Sequence, residues 1–199
     1  MQTTEHWSGP EGDAYTERQT LDFKARVNLL RRVAESATDV RSLIEFGAND
    51  GSNLKAWSVG VDWHTRLVGV EINEAAFDKM KRIAEVALHA SMLDDRDFGV
   101  WDMSMTRGVL IHISPDSLNK AYETLYNSSS RYICITEYYS PTPRMIPYRG
   151  KDNLLWARDF AGEIMTEYPD LKLIDYFFTY HRDPSYPQDD VTTFIMERK

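Results

Sequence analysis

Ten residues, Glu45-Phe-Gly-Ala-Asn-Asp-Gly-Ser-Asn-Leu54, follow the apolar run Ser42-Leu-Ile44. A short buried strand entering a glycine-containing turn, with a helix beyond it, lets backbone approach a bound ligand closely. Gly47, Ala48, Asn49 and Gly51 are the residues of that turn. About twenty residues on, the strand Leu67-Val-Gly-Val70 ends in Glu71. A carboxylate there can accept both hydroxyls of a ribose. With its neighbour Ile72 it predicts a site for an adenosine-containing cofactor.

Charge around the turn chooses among such cofactors. Glu45 precedes Gly47 and Asp50 lies inside the turn. A pyrophosphate about 4 Å from either carboxylate would meet repulsion of about 4 kcal/mol at an effective dielectric near 20. S-adenosylmethionine (SAM) carries a sulfonium and an ammonium and no phosphate, so it suits this turn. No required metal is expected. His64, His89 and the acidic residues lack zinc-ligand spacing, and Asp189-Asp190, which could bind a divalent ion, reads rather as a pair of turn caps.

The elements that position these residues follow from pattern. A helix is expected from about Leu21 to Ser36, with Phe23, Val27, Leu30 and Val33/Ala34 on one face. Strands are expected near 41–46, 66–71, 85–90, 100–106 and 132–137, with helices near 52–58, 74–84, 115–126 and 158–168. Asn73 and Ser114-Pro115 are good helix starts. Two last strands, near 172–181 and 191–197, are joined by too short a loop for a parallel crossover, so they form an antiparallel hairpin. The fold class is α/β: a Rossmann-like, mainly parallel seven-stranded sheet closed by a C-terminal hairpin. That topology belongs to class I methyltransferases rather than dehydrogenases.

A chain of 199 residues, 42% of them apolar, can bury one full core, so one domain is expected. Within it, the polar residues 1–19 are expected to form an N-terminal lid segment over the cofactor and substrate. The proline-bearing stretch 138–157 is a long irregular excursion on the substrate side. A net charge of −8 with no basic run disfavours a nucleic-acid partner. The single cysteine, Cys134, reads as a buried strand residue in a reducing compartment. Without a signal pattern or a long apolar run, a cytoplasmic protein with no membrane partner is expected.

Longer runs carry a family resemblance. They include Trp7-Ser-Gly9, Gly12-Asp-Ala-Tyr-Thr-Glu-Arg18, the 45–54 turn, Gly69-Val-Glu-Ile-Asn73 and Gly108-Val-Leu-Ile-His-Ile113. Glu137-Tyr-Tyr-Ser-Pro-Thr-Pro143, Tyr148-Arg-Gly150, Arg158-Asp-Phe-Ala-Gly162 and Gln188-Asp-Asp190 continue it. The chain resembles the pseudaminic acid biosynthesis-associated methylases, class I SAM-dependent methyltransferases encoded among nonulosonic-sugar and surface-glycan genes. The pattern departs at Gln19, where asparagine is expected, and at Thr193, where tryptophan is expected. The resemblance implies methyl transfer from SAM to oxygen or nitrogen of a sugar or nucleotide sugar. The rival functions are methylation of another small molecule or RNA, and a SAM-binding protein without catalysis.

Individual residues take roles in that frame, each with a plainer alternative. Tyr15 and Arg18 share a helical face, where Tyr15 would cover the methionine end and Arg18 would pair with its carboxylate. The alternative is an ordinary surface arginine. Ser91 and the following N–H would read the adenine edge, with Met92 and Leu93 packing its ring. Asp94 is the rival reader, and a capping serine is the alternative. Arg107 is assigned to the cofactor site. His112 is a general base or acceptor-orienting residue, or else a core histidine. Glu137 is the rival base, or else a salt-bridge partner of Arg149 or Arg158. Tyr139, Tyr148, Arg149, Arg158 and Asp159 are assigned to the acceptor, since arginines suit an acidic sugar and tyrosine rings, with Trp156, suit its faces.

Overall fold

The structure, a computed structural model, describes residues 2–18 and 22–199. Gln19 and Leu21 lie outside the described residues. Seven strands form one sheet: β1 (Ser42–Phe46), β2 (Arg66–Glu71), β3 (Val86–His89), β4 (Trp101–Arg107), β5 (Ser129–Glu137), β8 (Leu171–Phe178) and β9 (Thr192–Arg198). Their order is β3-β2-β1-β4-β5-β9-β8. The first five run parallel, β9 runs antiparallel to β5, and β8 and β9 pair as the expected hairpin.

Parallel strands covered by helices bury both faces, and the sequence supplies apolar residues to each. Ile44, Phe46, Val68, Ile133 and Ile135 point into one layer with helices α6 (Leu118–Asn127) and α7 (Phe160–Glu167). Leu43, Met103, Met105, Tyr132 and Cys134 point into the other, under α3 (Phe23–Ser36) and α4 (Ser52–Gly60). The buried face of α3 holds the expected Leu30 and Val33, with Val27 and Ala34 packed beside them, and departs from expectation at its start. Arg26 and Leu29 turn inward, whereas Phe23 is exposed. An arginine at a core-facing position broke the apolar period, and its reason is the site below.

Element positions otherwise agree within a few residues. The helix expected over 74–84 ends early, as α5 (Glu74–Met80). The polar start of the chain holds two helices, α1 (Gln2–Ser8) and α2 (Pro10–Arg18). The 138–157 excursion contains a small ladder of β6 (Arg144–Met145) on β7 (Trp156–Ala157). Among the described residues no helix is long and apolar enough to cross a membrane, and no group of His, Cys, Asp or Glu could hold a metal. Thr193, the second departure from the family pattern, is buried on β9 and bonded to the hydroxyl of Thr136 at 2.9 Å.

Register places the site. Phe46, the last residue of β1, pairs with Val70 on one side and Thr106 on the other. Glu71 pairs with His89, and Arg107 with Thr136. Gly47, Glu71, Ala90 and Arg107 therefore emerge together at the carboxyl edge of the sheet, where ligands of open α/β sheets bind.

Candidate active site

One cleft lies along that edge, lined by the ends of β1 to β4, the loop after β4 and the first two helices. At its floor the chain leaves β1 with Gly47 at φ 68° and Asn49 at φ 49°. The N–H groups of Gly47 and Ala48 donate to the carbonyl of Val70 at 2.8 and 3.0 Å, tying the turn to β2. A Cβ on Gly47 would stand 2.5 Å from Cγ2 of Val109, which also lines the cleft. Gly51 does not line it. At φ 80° it caps α4 and packs against Met80 and Ile83, so its role is to make the turn.

Glu71 lines the cleft and its carboxylate is held by backbone. Oε2 accepts the N–H of Asn49 at 2.7 Å, and Oε1 accepts those of Ile72 and Asn73 at 2.8 Å. Burial raises its pKa, and these hydrogen bonds oppose the rise. Oε1 thus accepts two N–H groups already, and the lone pair left for a ligand hydroxyl is on Oε2. At β3, Ala90, Ser91 and Met92 line the next stretch. Ser91 closes a local turn, accepting the N–H of Leu93 at 3.1 Å while its own N–H donates to Asp94 at 2.9 Å. Asp94 lies behind that turn, outside the lining.

Glu45 sits one layer below the cleft. It is 1% exposed and its Oε1 accepts from Nδ2 of Asn53 at 2.6 Å, while Oε2 has no partner among the described residues. Asn53, which does line the cleft, also accepts from Arg26 at 2.6 Å. Burial pushes the Glu45 pKa up to about 7. Because that exceeds the unfolded value, the folded protein binds the extra proton between about pH 4.5 and 7. The parent then loses stability as pH rises through that window, by on the order of 3 kcal/mol when complete. Glu45→Gln keeps the acceptor for Asn53 without the ionisation. Its thermal midpoint should rise relative to the parent between pH 5 and pH 8, and an offset independent of pH would refute this account.

His112 and Glu137, the two candidate bases, differ sharply. Beyond β4 the chain forms a 3₁₀ turn, Leu110–His112. Nδ1 of His112 donates to the carbonyl of Leu154 at 2.7 Å, which leaves Nε2 as an acceptor. The ring lines the cleft and packs against Trp7, with centroids 4.3 Å apart, and against Tyr148 at 5.5 Å. This burial lowers its pKa to about 4, so it is neutral near pH 7.

Glu137 is not in the cleft, and the sequence assignment is corrected here. Its carboxylate accepts the N–H groups of Val109 and Leu110 at 3.0 and 3.1 Å and of Ile111 at 3.4 Å. It holds the His112 turn from below, and rotating it outward would strand buried amides. Neither salt bridge expected for it forms. Arg158 pairs instead with Glu163 at 2.9 Å.

Several other assignments are also corrected. Arg18 is exposed at the end of α2 and lines nothing in the cleft. The cleft cations are Arg26 and Arg107. Asp159 caps α7 through the N–H of Gly162 at 2.9 Å. Arg149 is exposed in a turn at φ 52°, and Tyr139 faces outward against Phe194. Of the excursion residues, only Tyr148 reaches the aromatic group at the cleft mouth. The irregular segment is anchored by the buried Leu154, Leu155, Trp156 and Ala157, while the polar residues beside it make local bonds that sequence alone could not separate from ligand contacts.

The first two helices bring the expected Tyr15 to the cleft and add Trp7, Gly12 and Thr16, which sequence reasoning missed. Asn73 donates to Asp13 at 2.8 Å and Thr16 donates to Asn49 at 2.7 Å, fastening α2 across the cleft. Trp7, Gly12, Tyr15 and Thr16 thereby line its roof. A Cβ on Gly12 would meet the Trp7 carbonyl at 2.0 Å, so only glycine permits this packing. Pro10 with acidic Glu11 and Asp13 at the start and Arg18 at the end was a readable helix signal.

No family model matches the chain, and no curated protein matches it. Solved structures do. The magnesium protoporphyrin IX methyltransferase of Synechocystis PCC 6803, crystallised with bound SAM, superposes with a TM-score of 0.69 at 10% identity, over 98% of this chain and 95% of that one. The sugar N-methyltransferase KedS8 of Streptoalloteichus sp ATCC 53650 gives 0.67 at 14% identity, over 94% and 92%. DesVI of Streptomyces venezuelae gives 0.65 at 12%, over 94% and 96%. The fold is that of the SAM-dependent methyltransferases. In this methyltransferase fold the ends of the parallel strands make one edge, and the cleft described above occupies it.

Proposed function

We propose that the protein is a SAM-dependent methyltransferase whose acceptor is a sugar or nucleotide-activated sugar of the nonulosonic, surface-glycan type. The observation that carries the cofactor reading is Glu71 and the Gly47 turn sharing one cleft with His112. Oε2 of Glu71 would take a ribose hydroxyl, and Ala90 to Met92 would take the adenine. Arg26, Asn53 and Tyr15 would surround the methionine end, with helices α1 and α2 as a lid.

The transfer is an in-line displacement. A lone pair of the acceptor oxygen or nitrogen forms a bond to the methyl carbon as the carbon–sulfur bond breaks and its pair returns to sulfur. SAM is thereby converted to S-adenosylhomocysteine (SAH), and the acceptor proton leaves to Nε2 of His112 or to water. A group with pKa near 4 is a weak base at neutral pH, so the main service of His112 is to accept a hydrogen bond and aim the acceptor. Alignment in a closed cleft supplies most of the rate.

The sugar class rests on the family resemblance, and KedS8 is a sugar methyltransferase of the same fold. The experiment is mass spectrometry of co-purified ligand, then a methyl-transfer screen against nucleotide-activated nonulosonic sugars. Methylated sugar with stoichiometric SAH supports the reading. Absence of SAM or SAH binding by calorimetry overturns it.

A further inference from the structure

Arg107 carries a buried donor that no group among the described residues accounts for. It is the last residue of β4 and lines the cleft. One terminal nitrogen donates to Gln188 at 2.9 Å, but the buried Nε has no partner among the described residues. No carboxylate there lies within ion-pair distance of it, whereas seven other basic side chains make such pairs. A half-buried guanidinium with an idle donor costs desolvation unless an anion completes it. The next residue, Gly108, sits at φ 67°, and a Cβ there would meet nothing within 4 Å. Open space therefore faces the backbone beside the cation.

Strand order says which anion. The proposed ribose anchor, Glu71, ends β2, and the glycine turn ends β1. β4 is the next strand beyond β1. With strands about 4.8 Å apart, Arg107 stands roughly 10 Å from the ribose anchor along the edge. Arg26, bonded to Asn53 at the start of α4, is the cation beside the glycine turn itself. Arg26 and Arg107 lie within electrostatic reach of each other and of Tyr15, and one methionine carboxylate needs only one guanidinium, which leaves a second cation for another anion. Arg107 lies in the same chain segment as His112, the residue that faces the acceptor.

We infer that Arg107 binds an anionic group of the methyl acceptor, so that the enzyme selects a sugar acid by its carboxylate while His112 aims the reacting atom. The inference rests on the proposed function and narrows its substrate class. A planar guanidinium matches a carboxylate through two parallel hydrogen bonds. Glycine at 108 leaves room for the ring that carries it.

Two titrations test this, each on protein verified as folded by circular dichroism. In the first, SAH and 5′-methylthioadenosine, which lacks the amino-acid end, are titrated into the parent, Arg107→Gln and Arg26→Gln. Arg107→Gln should keep SAH affinity within about threefold, whereas Arg26→Gln should lose roughly tenfold for SAH and little for methylthioadenosine. In the second, N-acetylneuraminic acid and its C1 methyl ester are titrated into SAH-loaded protein. The parent should prefer the acid by roughly 10- to 100-fold. Arg107→Gln should bring that ratio close to unity, and Arg107→Lys should restore part of it.

If Arg107→Gln weakens SAH selectively, the residue serves the cofactor and the inference fails while the methyltransferase reading stands. Equal binding of acid and ester by the parent, or binding of neither, also overturns it. Failure of the parent to bind SAH sinks the underlying reading instead.

Discussion

Replacing Glu71 by alanine should raise the dissociation constants for SAM and SAH by roughly 10- to 10²-fold, the equivalent of the one charge-assisted hydrogen bond of about 1.5–3 kcal/mol for which Oε2 keeps a lone pair. The carboxylate already accepts three backbone N–H groups at 2.7 to 2.8 Å, so it is oriented before any ribose arrives. That preorganisation makes the expected loss large, because the ligand need not order the group it binds. The same three amides are a complication, since alanine leaves them without their acceptor. Glu71→Gln separates the effects by keeping one acceptor oxygen and most of the shape. It should weaken SAM by less than alanine does and melt closer to the parent. Calorimetry showing unchanged SAM affinity in a folded Glu71→Ala protein would remove the ribose assignment. The cofactor reading would then lose its main support.

The strand positions along the chain were legible because parallel strands buried on both faces carry apolar runs, and short breaks between them mark the turns. Gly47 and Glu71 were legible for the same reason: each sits directly after such a run. Arg26 was not, because a polar residue on a helix reads as solvent-facing unless something buries it. Here Asn53 and the cleft do so. Glu137 misled for a related reason. A carboxylate at the end of a central strand has the position of a base, and only coordinates show three loop amides already pointing at it. Arg158 and Asp159 were drawn into the acceptor site by their place in a long loop. Their actual partners, Glu163 and the N–H of Gly162, lie within five residues of them. Trp7 and Thr16 depend on contacts with Asn73, His112 and Asn49 far along the chain, which no local pattern encodes.

That distinction between a group that faces the cleft and one that supports it leads to the second large effect. His112→Ala should leave SAM affinity within a few-fold and slow methyl transfer by roughly 10²-fold. The proposed ribose and adenine contacts come from the ends of β2 and β3, whereas His112 lies past β4. Since its pKa is held near 4, the parent should show no inflection from this residue between pH 6 and 9. A conventional histidine base would give a rising limb near pH 6.5. Glu137→Gln is the informative companion. It removes charge and places an amide donor against loop N–H groups, so it should lower the melting temperature and loosen the His112 turn. Transfer would fall through that turn rather than through loss of a proton acceptor. A Glu137→Gln protein that melts like the parent yet is inactive would return the base role to Glu137. Full rate in both folded variants would leave alignment alone as the source of catalysis, with His112 reduced to packing against Trp7. An inflection near pH 6.5 that disappears in His112→Ala would instead make the histidine a true base and show that its ring is less shielded than Trp7 and Tyr148 make it.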